Sequence, residues 1–134
     1  MLSLIRPELL RQQCYIDGVW LDADSGERIA VLNPANGVQL GTIPKMGVAE
    51  TRRAIEAANA AWPAWRAKTA KERAVILRRW FELMQAHVED LARILTVEQG
   101  KPLAEARGEI AYAASYLEWY AEEGKRAYGD TIPT

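Results

Sequence analysis

The chain changes its hydrophobic rhythm once, near Met46, and that change limits the possible folds more than any other feature. Before it, short apolar stretches are broken by glycine, proline, asparagine and aspartate. After it, apolar residues recur at every third or fourth position almost to the end. A period of two suits strands and a period of 3.6 suits helices, so the pattern predicts an α+β fold that is mainly helical. A short antiparallel meander over residues 14–46 should precede a bundle of about four helices over residues 47–128. Residues 1–13 read as a loosely held, partly helical tail. Residues 129–134 read as the start of an extended segment cut short.

Three strands are expected in the meander. Residues 14–21 form the first, with Asp17-Gly18 as a turn or bulge inside it. Asp22-Ala23-Asp24-Ser25-Gly26 is a turn, and residues 28–32 follow as a strand. Asn33-Pro34 ends that strand, because proline removes a ladder donor and restricts its predecessor. Asn36-Gly37 is a hairpin turn, since both residues tolerate positive φ. Residues 38–44 complete the set.

The helices carry start and stop signals. The first runs from about Val48 to Ala61 with Val48, Ile55, Ala58 and Trp62 inward, and Pro63 stops it. Thr69 and Glu72 make a capping box for the second, which continues to about Ala86. Its inward stripe is Ala70, Ala74, Leu77, Phe81 and Met84. The third runs from Val88 to Gln99 with Val88, Leu91 and Leu95 inward, and Gly100 closes it. The fourth opens at Pro102. Its stripe is Leu103, Ala106, Ile110, Ala113, Leu117 and Tyr120, with Glu122 and Arg126 paired on the other side.

Composition excludes several classes. A chain of 134 residues fits one domain and can bury roughly two-thirds of its unfolded surface. Its 49% hydrophobic and 26% charged content is that of a folded soluble protein rather than a disordered one. A net charge of -1 provides no field for nucleic acid or an acidic membrane. No apolar run reaches the roughly 18 residues of a membrane helix. The single cysteine excludes an internal disulfide and fits a reducing compartment such as the cytoplasm.

Each chemical candidate has a plainer reading. Cys14 opens a strand, has no histidine near it in sequence, and reads as a small structural hydrophobe. His87, the one histidine, falls between two helices, where a cation suits the helix dipole. It cannot form a metal site by itself, and no CxxC, HExxH, GxGxxG or P-loop is present. Asp22 and Asp24 lack the spacing of a calcium loop. Glu105 and Glu109 lie one turn apart beside Lys101 and Arg107 and should face water rather than share a proton. Arg52, Arg53, Arg66, Lys68, Lys71, Arg73, Arg78 and Arg79 are interleaved with Trp62, Trp65 and Trp80. However, Glu50, Glu56, Glu72 and Glu82 stand among them, which reads as a solvated, charge-mixed face. The tryptophans read as core or interface residues.

Several strings occur together in order. Ile16-Asp17-Gly18-Val19-Trp20 is followed by Asn33-Pro34-Ala35-Asn36-Gly37, Trp65-Arg66, and Arg73-Ala74 with Ile76-Leu77. Glu98-Gln99-Gly100-Lys101-Pro102-Leu103-Ala104-Glu105-Ala106 comes next. This series resembles the opening of the aldehyde dehydrogenase superfamily. Glu118 to Arg126, then Tyr128 to Pro133, resembles its succinate-semialdehyde dehydrogenase branch. The resemblance runs from about Leu9 to Pro133.

It implies a parent with a cofactor domain, a catalytic domain and an oligomerisation arm. The parent would bind NAD or NADP, form a thiohemiacetal on a cysteine, pass hydride to the nicotinamide and hydrolyse the thioester with help from a glutamate. None of the family's catalytic or cofactor-binding motifs has a counterpart between Met1 and Thr134, and Cys14 is not the family nucleophile. No catalytic or cofactor-binding residue is therefore carried over, and no cofactor is expected on this chain. Two site expectations do carry over. Glu98 and the Leu32 carbonyl match ligands of a structural monovalent cation, although Glu98 also reads as a plain helix-end carboxylate. Tyr112, with Gly108 one turn earlier, matches the border of the aldehyde entry tunnel, although Tyr112 also reads as a packing residue.

Three functions follow as expectations. The first is a front segment of a succinate-semialdehyde dehydrogenase, inactive alone, that self-associates or meets the missing cofactor and catalytic domains. The second is a helical binding or oligomerisation module. The third is one half of a split enzyme.

Overall fold

The computed structural model describes residues 2–130 and residue 132. Four strands come first: β1 (Cys14–Ile16), β2 (Val19–Leu21), β3 (Arg28–Leu32) and β4 (Gln39–Pro44). Four helices follow: α1 (Val48–Ala67), α2 (Ala70–Ala86), α3 (Val88–Gln99) and α4 (Leu103–Glu123). Short 3₁₀ turns occupy Pro7–Leu9 and Gly124–Arg126. Of the extended segment expected at residues 129–134, positions 131, 133 and 134 lie outside the described residues.

The strands form two separate antiparallel pairs, β1–β2 and β3–β4. Asp17 and Gly18 both take positive φ, 50° and 80°, so the first expected strand folds on itself as a two-residue hairpin. Between the pairs, the 22–27 loop is clamped sideways. Asp22 accepts from Arg28 and from Gln13 (2.9 Å), and Asp24 takes both guanidinium nitrogens of Arg53 at 2.7 Å. The loop therefore turns toward α1 instead of joining the two pairs into one sheet.

The helix ends follow their sequence signals. The Thr69 hydroxyl accepts the Glu72 N–H (3.3 Å), and the Glu72 carboxylate accepts the Thr69 N–H (2.7 Å). Gly100 takes φ 85° at the end of α3. A side chain there would collide with Pro34, whose Cγ lies 2.9 Å from the Cβ position. Gly100 thereby lets the β3–β4 pair approach the helices.

Four details differ from expectation. Pro63 lies inside α1, which continues to Ala67. The exposed last turn leaves the orphaned Asn59 carbonyl open to water, so the missing donor does not stop the helix. The stripe Val48, Ile55, Ala58 and Trp62 faces outward, while Ala54, Ala57 and Trp65 are partly covered. On α4 the inward stripe shifts after Ile110 to Ala114 and Ala121, leaving Ala113 and Tyr120 exposed. A repeat of three and four averages 3.5 residues per turn, and a straight helix drifts off it by about half a position over five turns, enough to turn the next residue inward. Finally, Glu122 pairs with Lys125 (2.9 Å) and Arg126 with Glu123 (3.2 Å). The tighter 3₁₀ turn brings i+3 partners together instead of i+4.

The interior is thin. Among the described residues, the buried hydrophobic ones are all alanines: Ala23, Ala74, Ala92, Ala106, Ala114 and Ala121. Accessible surface totals 9862 Å², against about 7,000 Å² expected for a folded monomer of this mass. Helices α2, α3 and α4 pack closely through these small residues, and larger apolar side chains stay partly or wholly exposed.

Candidate functional site

The outer face of α4 carries a row of aromatic side chains. Tyr112, Tyr116 and Tyr120 follow each other at i, i+4 and i+8, the spacing that stacks side chains along a helix. The Tyr112 and Tyr116 rings meet edge to face with centroids 5.1 Å apart, and their hydroxyls bond at 2.5 Å. Tyr116 stacks on Tyr120 at 6.5 Å. The bond to Tyr112 pushes the Tyr116 phenol above its ordinary pKa. With Trp119 and Glu123 these residues line an open groove of about 710 Å³. Tyr112 is 62% exposed, and the space beside Gly108 is open.

Leu32 and Glu98 sit where β3 ends and where α3 ends, two places joined by the Pro34–Gly100 contact. Val31 and Glu98 line one small void of about 20 Å³. Carboxylate and carbonyl oxygens are the right donors for a hard cation. Two donors do not fill a coordination shell, so the set is incomplete. Among the described residues, no group of three or more histidine, cysteine or acidic side chains gathers to hold a metal.

The remaining candidates take structural places. Cys14 pairs with Leu21 across the first hairpin, half-buried. His87 links α2 to α3, and its N–H reaches back to the carbonyls of Leu83 (3.2 Å) and Met84 (3.3 Å). Glu109 is bonded to Lys101, and Arg107 grips Glu89 at 2.7 and 2.9 Å. Glu109 and Arg107 are thus each matched with a partner other than Glu105. Arg53 and Arg78 are also matched with carboxylates, Arg78 with Glu118 at 2.7 Å. Trp62, Trp80 and Trp119 are exposed.

Two carboxylates are buried against expectation: Glu50 belongs to the face expected to be solvated, and Asp90 is not among the sequence candidates. Glu50, 5% exposed, accepts the N–H groups of Asp24 (2.9 Å) and Gly47 (3.0 Å). Asp90, 2% exposed, accepts those of Ile5 (2.9 Å) and Arg6 (2.8 Å). These backbone donors hold both carboxyls below the usual range, against the opposing effect of burial. The only signal in the sequence is their position, third in a helix. Their distant partners, Asp24 and Ile5, lie 26 and 85 residues away, which no local pattern reports.

Helix N-termini commonly hold phosphate, and four are present among the described residues. All have an acidic first turn, with Glu50, Glu72, Glu89 and Asp90, and Glu105. Such ends repel a pyrophosphate, so these residues do not fit NAD or NADP.

Comparison with known proteins places the chain in a family. The family model described as "Aldehyde dehydrogenase family" matches residues 20–134. The chain is 71% identical over 126 residues to glutarate-semialdehyde dehydrogenase of Pseudomonas putida, covering 94% of the chain and 26% of that relative. It is 70% identical over 125 residues to the NADP(+) succinate-semialdehyde dehydrogenase of Escherichia coli, covering 93% and 26%. The crystal structure of succinate-semialdehyde dehydrogenase from Burkholderia pseudomallei matches with a TM-score of 0.96 and 67% identity, over 98% of the chain and 27% of that structure. The chain thus spans about a quarter of the length of the curated relatives it matches. A family model that accounts for all but the first nineteen residues, together with the same helices and strands in a solved relative, leaves one conclusion: the chain belongs to the aldehyde dehydrogenase family.

Proposed function

We propose that this chain is the N-terminal part of an NAD(P)-dependent aldehyde dehydrogenase that oxidises succinate semialdehyde to succinate in the cytoplasm. The observation that carries the reading is the 70% identity to the E. coli enzyme across 93% of the chain. The glutarate-semialdehyde enzyme is equally similar, so this stretch defines a short dicarboxylic semialdehyde better than it defines its length. In this reading the chain does not perform the chemistry. Thiolate attack, hydride transfer and thioester hydrolysis fall to the rest of the polypeptide. The chain supplies a scaffold: the α4 face with Tyr112 and Gly108 borders the aldehyde path, and Leu32 with Glu98 supplies part of a monovalent-cation shell.

A second reading draws on the exposed Trp62, Trp80 and Trp119. Tryptophans are common interface anchors, so the chain would be a helical oligomerisation or binding module with its own role. One experiment separates the two. The chain is incubated with succinate semialdehyde and NADP or NAD, alone and then with the complementary part of a relative. No reduced nicotinamide alone, and turnover after mixing, supports the scaffold. Silence in both, with a stable self-assembly, supports the module. Turnover by the chain alone overturns both.

A further inference from the structure

Each of the four helices has a carboxylate at its third position: Glu50, Glu72, Asp90 and Glu105. The usual task of that residue is to reach back and accept the N–H of its own cap. Glu50 and Glu72 do so, at 3.0 and 2.7 Å. Glu105 has no such donor, because its cap is Pro102. Asp90 has a different reason to be free. Its cap, His87, is also the last residue of the α2 turn, and its N–H is already bonded to Leu83 and Met84.

Asp90 spends that freedom on the N-terminal tail. Both of its oxygens are used, one for Ile5 and one for Arg6. One turn further along α3, Arg93 donates to the Ser3 carbonyl (2.9 Å). At the other end of the tail, the Gln12 side chain accepts the Thr42 N–H (2.9 Å) on the open edge of β4. The tail therefore bridges the start of α3 and the second strand pair. Leu2 and Ser3 help to line a groove of about 640 Å³ shared with Val38, Arg93 and Thr96. Thr96, whose hydroxyl is buried without a protein partner, stands on the same groove.

We propose that residues 2–10 are a clasp that opens as a unit, with Asp90 as its latch and Arg93 as a second hold. The groups facing the latch are Arg93 and His87 beside it and Arg6 on the tail. Arg6 is held by Glu8 (2.5 Å), and the neighbouring Glu89 is held by Arg107 from α4. Neither replaces Asp90. The latch carboxyl titrates below its ordinary value of 3.8 because the closed tail donates two N–H groups to it. The sign follows: closure is favoured above that value and is lost as pH falls through the depressed range.

The test is amide hydrogen exchange on the full 134-residue chain, read residue by residue. In the native chain at pH 7, Ile5 and Arg6 should exchange about tenfold or more slower than open-chain amides. On acidification they should lose this protection before the α4 amides do. Asp90→Asn should remove it at pH 7 with α4 still protected. If that variant loses α4 protection as well, Arg93→Met serves instead, and it should speed exchange at Ile5 and Arg6 without abolishing their acid response. Unprotected amides in the native chain at pH 7, protection untouched by both substitutions, or loss only together with α4 would overturn the clasp.

Discussion

At the scale of single residues, position decides what a side chain costs. Gly100 and Gly124 are both glycines at helix ends. Gly100 has φ 85° and faces Pro34, whereas Gly124 has φ -58° and open space. Gly100→Ala should therefore destabilise the chain by roughly 1–2 kcal/mol or more, from the left-handed backbone plus the collision. Gly124→Ala should be neutral or slightly stabilising. Urea melts of the two variants check this, and equal midpoints would refute it. The role of Gly100 as a stop was legible from its place after an apolar period. Its contact with Pro34 was not, since the two positions meet only in the folded chain. Asp90 makes the same point more strongly. Its place in the first turn could be read, but the absence of a cap donor for it depends on how α2 ends.

At the scale of elements, capping chemistry was readable and the facing of helices was read less well. The Thr69–Glu72 box, the His87 junction and the inward stripe of α2 all follow from residues a few positions apart. The stripe of α4 drifted because a half-integer repeat was imposed on a straight helix. Ala114→Leu, at a position with 0% exposure, should overpack the inward stripe and cost about 1–3 kcal/mol. Ala113→Leu, one residue away and exposed, should change stability by no more than about 0.5 kcal/mol. Thermal melts of the pair would fail this account if their effects were equal or reversed. For α1, the apolar stripe is real but points away from the chain's own core. Periodicity finds an apolar face; it does not say whether this chain or another surface covers it. The same limit applies to the α4 tyrosines, whose sequence spacing gave the face and whose groove came only with coordinates.

At the scale of the whole molecule, surface and interior are out of proportion. A core of alanines and an accessible area of 9862 Å² leave Trp62, Trp80, Trp119, Ile55 and Val75 facing water. Large exposed apolar side chains of this kind favour burial against another surface. The chain should therefore associate as its concentration rises, and sedimentation velocity over a hundredfold range checks it; one monomeric species throughout would refute the expectation. The uncovered faces also have a consequence in time. In the proposed parent, these residues leave the ribosome first, and the remaining three-quarters of the chain follows at about 5–20 residues per second. For roughly tens of seconds the nascent front end must remain unaggregated with its apolar helices bare. In such a parent, the faces left open here would wait for their cover until the rest of the polypeptide had been made.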